Sequence, residues 1–312
     1  MNWLRLIRWN NLFIILLTQL LVWFCVLLPL QKWTEEPLLL NGLNFSLLCI
    51  STILIAAAGY IINDYFDIKI DAINRPEKVI LESKIHRRAA IIYHTVLNVV
   101  GLFLAAIIAY KAGKLHWLTV QLFCTLLLFL YSSHFKRMFV IGNVAVALLT
   151  ALTIFTLFVY EPMLWHFLFE PPMMHKGLEI LPNPLWMLGI YTCFAFVLTW
   201  MREVVKDMED HIGDAAEGCI TMPIKMGLKP TSTFVQVLSL AAIIPLLLAS
   251  YKVQGMLGFY SFFALAIPLI IWVLYLPKKA TTQHYSNMSR YLKLIMILGV
   301  GSLLIYYYQA NG

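Results

Sequence analysis

Six aspartates stand in two matched triplets. Asp64, Asp67 and Asp71 form the first, preceded by Asn63; Asp207, Asp210 and Asp214 form the second. Both have the spacing D-x2-D-x3-D, and each member of the second lies 143 positions after its counterpart, which hints at an internal duplication. On a helix, positions i, i+3 and i+7 fall at about 0°, 300° and 340°, so each triplet shares one face. Like charges so placed repel one another, and a neighbouring apolar span adds a desolvation cost. A bound cation offsets both. Donor sets made only of oxygen suit Mg²⁺, which keeps several waters and takes further ligands from phosphates. Solvated acids at a membrane surface would explain one such triplet more readily than two.

The elements that must position these carboxylates are membrane spans. Of 312 residues, 61% are hydrophobic and 12% charged, and mean hydropathy is +0.79. A soluble core of this size cannot hide that much apolar surface. The chain reads as an all-α polytopic membrane protein in one domain over residues 1–312, with nine apolar stretches. They run Asn11–Leu30, Asn41–Ile62, Ala89–Tyr110, Leu115–Ser133, Val140–Tyr160, Pro184–Met201, Thr233–Ser250, Gly255–Leu276 and Tyr291–Gln309. The first follows Arg5 and Arg8 as a signal peptide would, but its apolar run is too long and it reads as a retained helix.

Charge sets the expected orientation. With the N-terminus and even-numbered loops on one side, 18 of the 23 Lys and Arg fall there and 5 on the other. The positive-inside rule places the 18 in the cytoplasm, the C-terminus outside, and the acidic triplets in the two longest cytoplasmic loops. Those loops, 63–88 and 202–232, hold 11 of the 16 acids. The outer connection 161–183, with Trp165, Phe167, Phe169 and several prolines, reads as an interfacial half-helix. The net charge of +7 carries no basic stripe with interleaved aromatics, so nucleic acid is not an expected partner. Five cysteines without paired spacing give no zinc or redox motif.

Two carboxylate clusters, Mg²⁺ and an apolar cavity suit a diphosphate on an isoprenoid tail. Ionising an allylic diphosphate leaves a carbocation and pyrophosphate. Metal ions offset charge on the leaving group, aromatic faces stabilise the cation, and a water-poor pocket delays its capture. Tyr60, Tyr65, Phe66 and Trp200 are candidate walls. Lys206 beside Asp207, together with Arg75 and Lys78, could neutralise phosphate. Asn63 could ligate Mg²⁺, orient Asp67 or cap a helix.

Asn63-Asp64-x2-Asp67-x3-Asp71 resembles the NDxxDxxxD signature of the UbiA superfamily of intramembrane prenyltransferases, and Asp210-x3-Asp214 resembles its second DxxxD motif. The resemblance covers the whole chain. It implies a nine-helix bundle round a central cavity open to lipid, with cytoplasmic helical loops. It also implies two Mg²⁺ ions bridging a prenyl diphosphate to the motifs. Tyr131-x4-Lys136-Arg137 resembles the family's Tyr…Lys-Arg loop, which implies that the basic pair holds diphosphate oxygens while Tyr131 faces the cation. Arg8, with Asn10 or Asn11, resembles the family's Arg…Asn at the first helix.

Gly142-Asn143, Gly213-Asp214 and Thr221-Met222-Pro223 resemble the branch that prenylates geranylgeranylglyceryl phosphate, although His211-Ile212 departs from its usual residues. The partners implied are a prenyl diphosphate donor, a lipophilic acceptor and the bilayer. Branches that prenylate aromatic quinone precursors or haem share the diphosphate machinery and remain alternatives. A CDP-alcohol phosphotransferase would require Asp-Gly-x2-Ala-Arg, where Ile68 and His211 follow the aspartates here. A transporter would carry charges or broken helices near mid-span, whereas most acids here cluster at one membrane face.

Overall fold

The computed structural model describes residues 2–34, 36–74, 81, 84–169, 184–253, 255–276 and 281–311. Arg75 and Lys78 lie outside the described residues, and so does the side chain of Asp71.

Among the described residues, nine helices are long and apolar enough to cross a bilayer. They are α1 (Trp9–Lys32), α2 (Gly42–Asn74), α3 (Arg87–Lys111), α4 (Leu115–Ser133), α5 (Ile141–Val159), α6 (Pro184–Ala216), α7 (Leu228–Lys252), α8 (Met256–Tyr275) and α9 (Thr282–Asn311). The rest is short helix and turn, apart from one isolated β-bridge between Leu81 and Ile85. The spans agree with those read from hydropathy, with one consistent difference. α2 and α6 each run 33 residues, well past the apolar stretch, and α9 starts at Thr282 rather than Tyr291. A helix of about 20 residues already spans the hydrocarbon, so the last turns of α2 and α6 carry the acidic motifs out of the apolar layer as continuous helix.

Two spans change pitch ahead of a proline. Trp23–Leu27 in α1 and Ser261–Ala266 in α8 are π-helical, and Pro29 and Pro268 follow them. A proline ring collides with the carbonyl four residues back and gives it no hydrogen bond. Here those carbonyls belong to Cys25 and Ala264, inside the widened turns.

Six helices (α1, α2, α4, α5, α6 and α9) contribute the wall of one central cavity, and α3, α7 and α8 pack outside them. One buried cluster joins α1, α2, α3, α5 and α9, including Leu27, Leu48, Ile108, Leu157 and Tyr306. A second joins α6, α7, α8 and α9, including Val205, Val235, Leu269 and Leu292. Outward faces are apolar, as in Val96, Val99 and Phe103 on α3 and Leu240, Ile244 and Leu248 on α7, which suits contact with lipid chains. At the opposite end from the motifs, buried Glu161 accepts hydrogen bonds from the backbone N–H groups of Leu40 (2.9 Å) and Met163 (3.3 Å). These tie the α1–α2 connection to the short helix Pro162–Phe169, which begins the α5–α6 connection.

α2 packs closely against α3. A Cβ on Gly101 would stand 2.9 Å from Ile55 Cγ1 and 3.2 Å from the Ser51 carbonyl oxygen, and the Ser51 hydroxyl donates to the Gly101 carbonyl at 2.7 Å. Gly101→Val should therefore lower thermal stability by about 1–3 kcal/mol, the usual cost of overpacking. Unfolding in detergent, followed by circular dichroism, would show it; an unchanged midpoint would mean that the two helices separate freely.

Candidate active site

The cavity encloses about 550 Å³ and has two chemically distinct ends. Its apolar end is walled by Ile14, Ile55, Leu128, Val146, Leu149 and Ile297 with a few threonines. Its polar end carries five cations (Arg8, Lys136, Arg202, Lys206 and Lys293) and five carboxylates (Asp67, Glu203, Asp207, Asp210 and Asp214).

Helical periodicity explains which acids face inward. On α6, Glu203, Asp207, Asp210 and Asp214 follow at intervals of four, three and four residues and form a single stripe along the wall. On α2 the inward stripe is Thr52, Ala56, Gly59, Asn63 and Asp67. Asp64 lies about 60° round the helix from Asp67. It leaves the cavity wall and accepts a hydrogen bond from Arg8 Nη2 at 2.7 Å. The two triplets are thus not equivalent in space, since Asp207 lines the cavity and its counterpart Asp64 does not.

Each inward carboxylate is held by a specific donor. Lys136 forms an ion pair with Asp67, whose second oxygen accepts from Asn63 Nδ2 at 2.7 Å. Asn143 Nδ2, from the first turn of α5, donates to Asp207 Oδ2 at 2.8 Å. Arg202 and Lys206 share buried Glu203, at 2.6 and 3.3 Å. Arg8 sits at the corner between the short helix Asn2–Leu6 and α1, with a left-handed backbone (φ 52°, ψ 54°). A non-glycine residue there costs about 1–2 kcal/mol. Its guanidinium lies 5.1 Å from the Tyr60 ring centre.

Lys136 is on a tight turn, Phe135–Arg137, which abuts the start of α5. A Cβ on Gly142 would stand 2.7 Å from the Phe135 carbonyl oxygen and 2.8 Å from Lys136 Cα. Only glycine lets α5 come that close, so Gly142 sets the position of Lys136 while its neighbour Asn143 sets that of Asp207.

Of the residues named from sequence, Arg8, Asn63, Asp67, Tyr131, Lys136, Lys206, Asp207, Asp210 and Asp214 meet at this cavity. Asn10 is exposed on α1, and Asn11 lines the wall instead. Arg137 is exposed outside the cavity; its backbone carbonyl accepts from the Ile220 N–H at 2.8 Å. Of the candidate aromatic walls only Tyr60 lines the cavity. Tyr65 packs under Arg87, Phe66 against Phe129, and Trp200 against Phe196 and Phe234. The sequence reading missed Arg202, Glu203, Lys293 and the contact of Asn143 with Asp207. The i, i+4 step from Glu203 to Asp207 was the available signal. Cys219 also lines the wall, where burial pushes its thiol up to about 11 and keeps it neutral near pH 7.

The donor set fits Mg²⁺. Asn63 Oδ1 is buried without a hydrogen-bond partner, beside Asp67, in a wall whose other acceptors are carboxylate oxygens. Among the described residues no three His, Cys, Asp or Glu side chains form a closed cage. Mg²⁺ does not need one, because it binds through one or two carboxylates and completes its shell with water and substrate phosphate.

A bundle of membrane-spanning helices round a cavity, with an acidic, cation-ready end and an apolar end, defines an integral multi-pass membrane protein built to hold an amphiphile. The model of the UbiA prenyltransferase family matches residues 21–297. The digeranylgeranylglyceryl phosphate synthase of Methanothermobacter thermautotrophicus is 35% identical over 194 residues, 62% of this chain and 60% of that enzyme. The enzyme of the same name from Methanothrix thermoacetophila is 33% identical over 271 residues, 86% of this chain and 89% of that enzyme. A solved structure of a digeranylgeranylglyceryl phosphate synthase superposes with a TM-score of 0.68 and 25% identity, covering 98% of this chain and 97% of that one. A UbiA homologue from Archaeoglobus fulgidus bound to DMAPP and Mg²⁺ shares the fold, with a TM-score of 0.58 and 15% identity over 98% of this chain and 100% of that one. The chain belongs to the UbiA prenyltransferase family and is a prenyl-transferring enzyme.

Gly142→Ala should lower prenyl-transfer turnover about 10- to 100-fold by displacing Lys136, because errors near 1 Å in a catalytic array cost that much. Steady-state kinetics on folded, monodisperse protein tests this. Wild-type turnover would show that the Phe135–Arg137 turn tolerates the shift.

Proposed function

We propose that the protein transfers a prenyl group from a prenyl diphosphate to the hydroxyl of a (geranylgeranyl)glyceryl phosphate, with Mg²⁺ at the acidic end of the cavity. The observation that carries this reading is the facing of Asp67 on α2 by Asp207, Asp210 and Asp214 on α6 across one cavity with an apolar far end. The curated relatives, named for digeranylgeranylglyceryl phosphate synthesis, support the acceptor. The Mg²⁺ and DMAPP bound by the Archaeoglobus homologue support the metal and donor.

In this reading Asp67 and Asn63 would hold one Mg²⁺, and Asp207, Asp210 and Asp214 would hold a second. Bound Mg²⁺ supplies positive charge that stabilises the departing diphosphate. Lys136, Lys206 and Arg8 take phosphate oxygens. Asp64 fixes Arg8 in its left-handed corner, and Asn143 holds Asp207 toward the cavity. The prenyl tail lies along Ile55, Leu128, Val146 and Leu149, where water is excluded. The C1–O bond breaks with its electron pair going to pyrophosphate. Tyr131 and Tyr60, the aromatics on the wall, offer ring faces and phenol oxygens to the allylic cation. The acceptor hydroxyl oxygen then bonds to C1 and releases its proton. The acidic ends of α2 and α6 and the N-terminus face the cytoplasm, as the 18 to 5 distribution of basic residues supports.

Purified protein with Mg²⁺, geranylgeranyl diphosphate and an acceptor panel, read by mass spectrometry, tests the reading. A prenylated glycerol phosphate is the expected product. A prenylated aromatic or haem alone would replace the acceptor assignment. Asp67→Ala and Asp210→Ala should each lower turnover about 100-fold or more with the protein still folded, and near wild-type turnover in either would contradict the metal assignment.

A further inference from the structure

Two cations on the cavity wall, Arg202 and Lys293, have no part in the diphosphate site described above. Lys136 is committed to Asp67 on α2, and Arg8 to Asp64. A separate pair stands where α6 meets α1 and α9: Lys293 and Arg202, the latter sharing Glu203 with Lys206. Glu203 is taken by Arg202 and Lys206, so Lys293 on the same wall has no carboxylate partner among the described residues, and charge without such a partner is expensive inside a membrane protein.

Two details point to a ligand. Arg202 Nε is buried without a hydrogen-bond partner while Nη1 of the same group is tied to Glu203 at 2.6 Å, so the guanidinium is anchored with its buried Nε–H unused. Lys293 Nζ donates to the neutral Asn11 side chain at 2.7 Å, and among the described residues it pairs with no carboxylate. Its position feels the Arg202 charge, so two cations have been brought together at one wall. Like charges held together in this way suit a doubly charged anion, and the preferred anion of paired Arg and Lys is a phosphate.

We propose that Arg202 and Lys293, steadied by Glu203 and Asn11, form a second anion subsite that binds the phosphate of the acceptor lipid and so selects a glycerol phosphate over an uncharged or aromatic acceptor. The proposal rests on the acceptor reading above. It divides the labour of the polar end. The α2 and α6 carboxylates with Lys136, Lys206 and Arg8 serve the diphosphate, and Arg202 with Lys293 serves the acceptor's monoester. From sequence Lys293 counts only among the charges that set topology, at the edge of the ninth span. In the structure α9 begins at Thr282, so Lys293 is about three turns into the helix and faces the cavity.

The test is steady-state kinetics of the wild type, Lys293→Gln and Lys293→Arg, with geranylgeranylglyceryl phosphate and with the same lipid lacking its phosphate. Lys293→Gln should raise KM for the phosphorylated acceptor about tenfold or more, the size of one lost charge-assisted hydrogen bond. KM for the prenyl diphosphate should stay within about twofold, the measure of an intact site. Lys293→Arg should recover most of the acceptor affinity, and the preference for the phosphorylated lipid should shrink in Lys293→Gln. A rise in donor KM instead would assign the pair to the diphosphate and overturn the proposal. An equal loss with both acceptors would mean a structural role and overturn it as well. If the wild type prenylates no glycerol phosphate, the acceptor reading itself fails; if it does and Lys293→Gln leaves acceptor KM unchanged, only the subsite fails.

Discussion

Charge compensation inside a membrane is the constraint on which this structure depends. Glu203, Asp207, Asp210 and Asp214 lie in one stripe on α6, with Asp67 on α2 lining the same cavity. Left alone, such carboxylates repel within each helix and lose hydration on burial. The fold answers by placing five cations in the same cavity. Lys136, Arg202 and Lys206 reach carboxylates directly, and Arg8 turns to Asp64 at its edge. A metal–diphosphate pair can replace some of these contacts without leaving either partner unpaired.

Helix length turns that constraint into geometry. α2 and α6 are each about three turns longer than a bilayer requires. Their motifs stand on continuous helix, and rigid elements position a site better than loops do. The remaining precision comes from close approach. Gly142 lets the Lys136 turn abut α5, and Asn143 in the same turn of helix reaches Asp207. Two adjacent residues thus couple a cation aimed at α2 to a carboxylate on α6.

Much of this was legible in the sequence because its signals are strong and local. Nine apolar runs and two D-x2-D-x3-D triplets suffice to place the spans and the acidic end. The triplet geometry was legible only in part. A 60° offset is small on a helical wheel, yet it separates Asp64, held by Arg8, from Asp67 on the wall. Hydropathy ends a span at the first charges, so it cut α2, α6 and α9 short and left Arg202 and Glu203 as loop residues and Lys293 as a charge at the edge of a span. Choosing Asn11 over Asn10 depended on the left-handed turn at Arg8, which no periodicity reveals. The short Gly142 approach is likewise a tertiary fact.

The central claim is that carboxylates from α2 and α6 hold metal and diphosphate together rather than a preformed metal cage. Mn²⁺ binding followed by electron paramagnetic resonance, with and without a non-ionising prenyl thiodiphosphate, tests it most directly. The account predicts weak Mn²⁺ binding alone and much tighter binding with the analogue, an enhancement lost in the Asp67→Asn, Asp210→Asn double variant. Analogue binding that is indifferent to the divalent ion, or an enhancement that survives in the double variant, would contradict it.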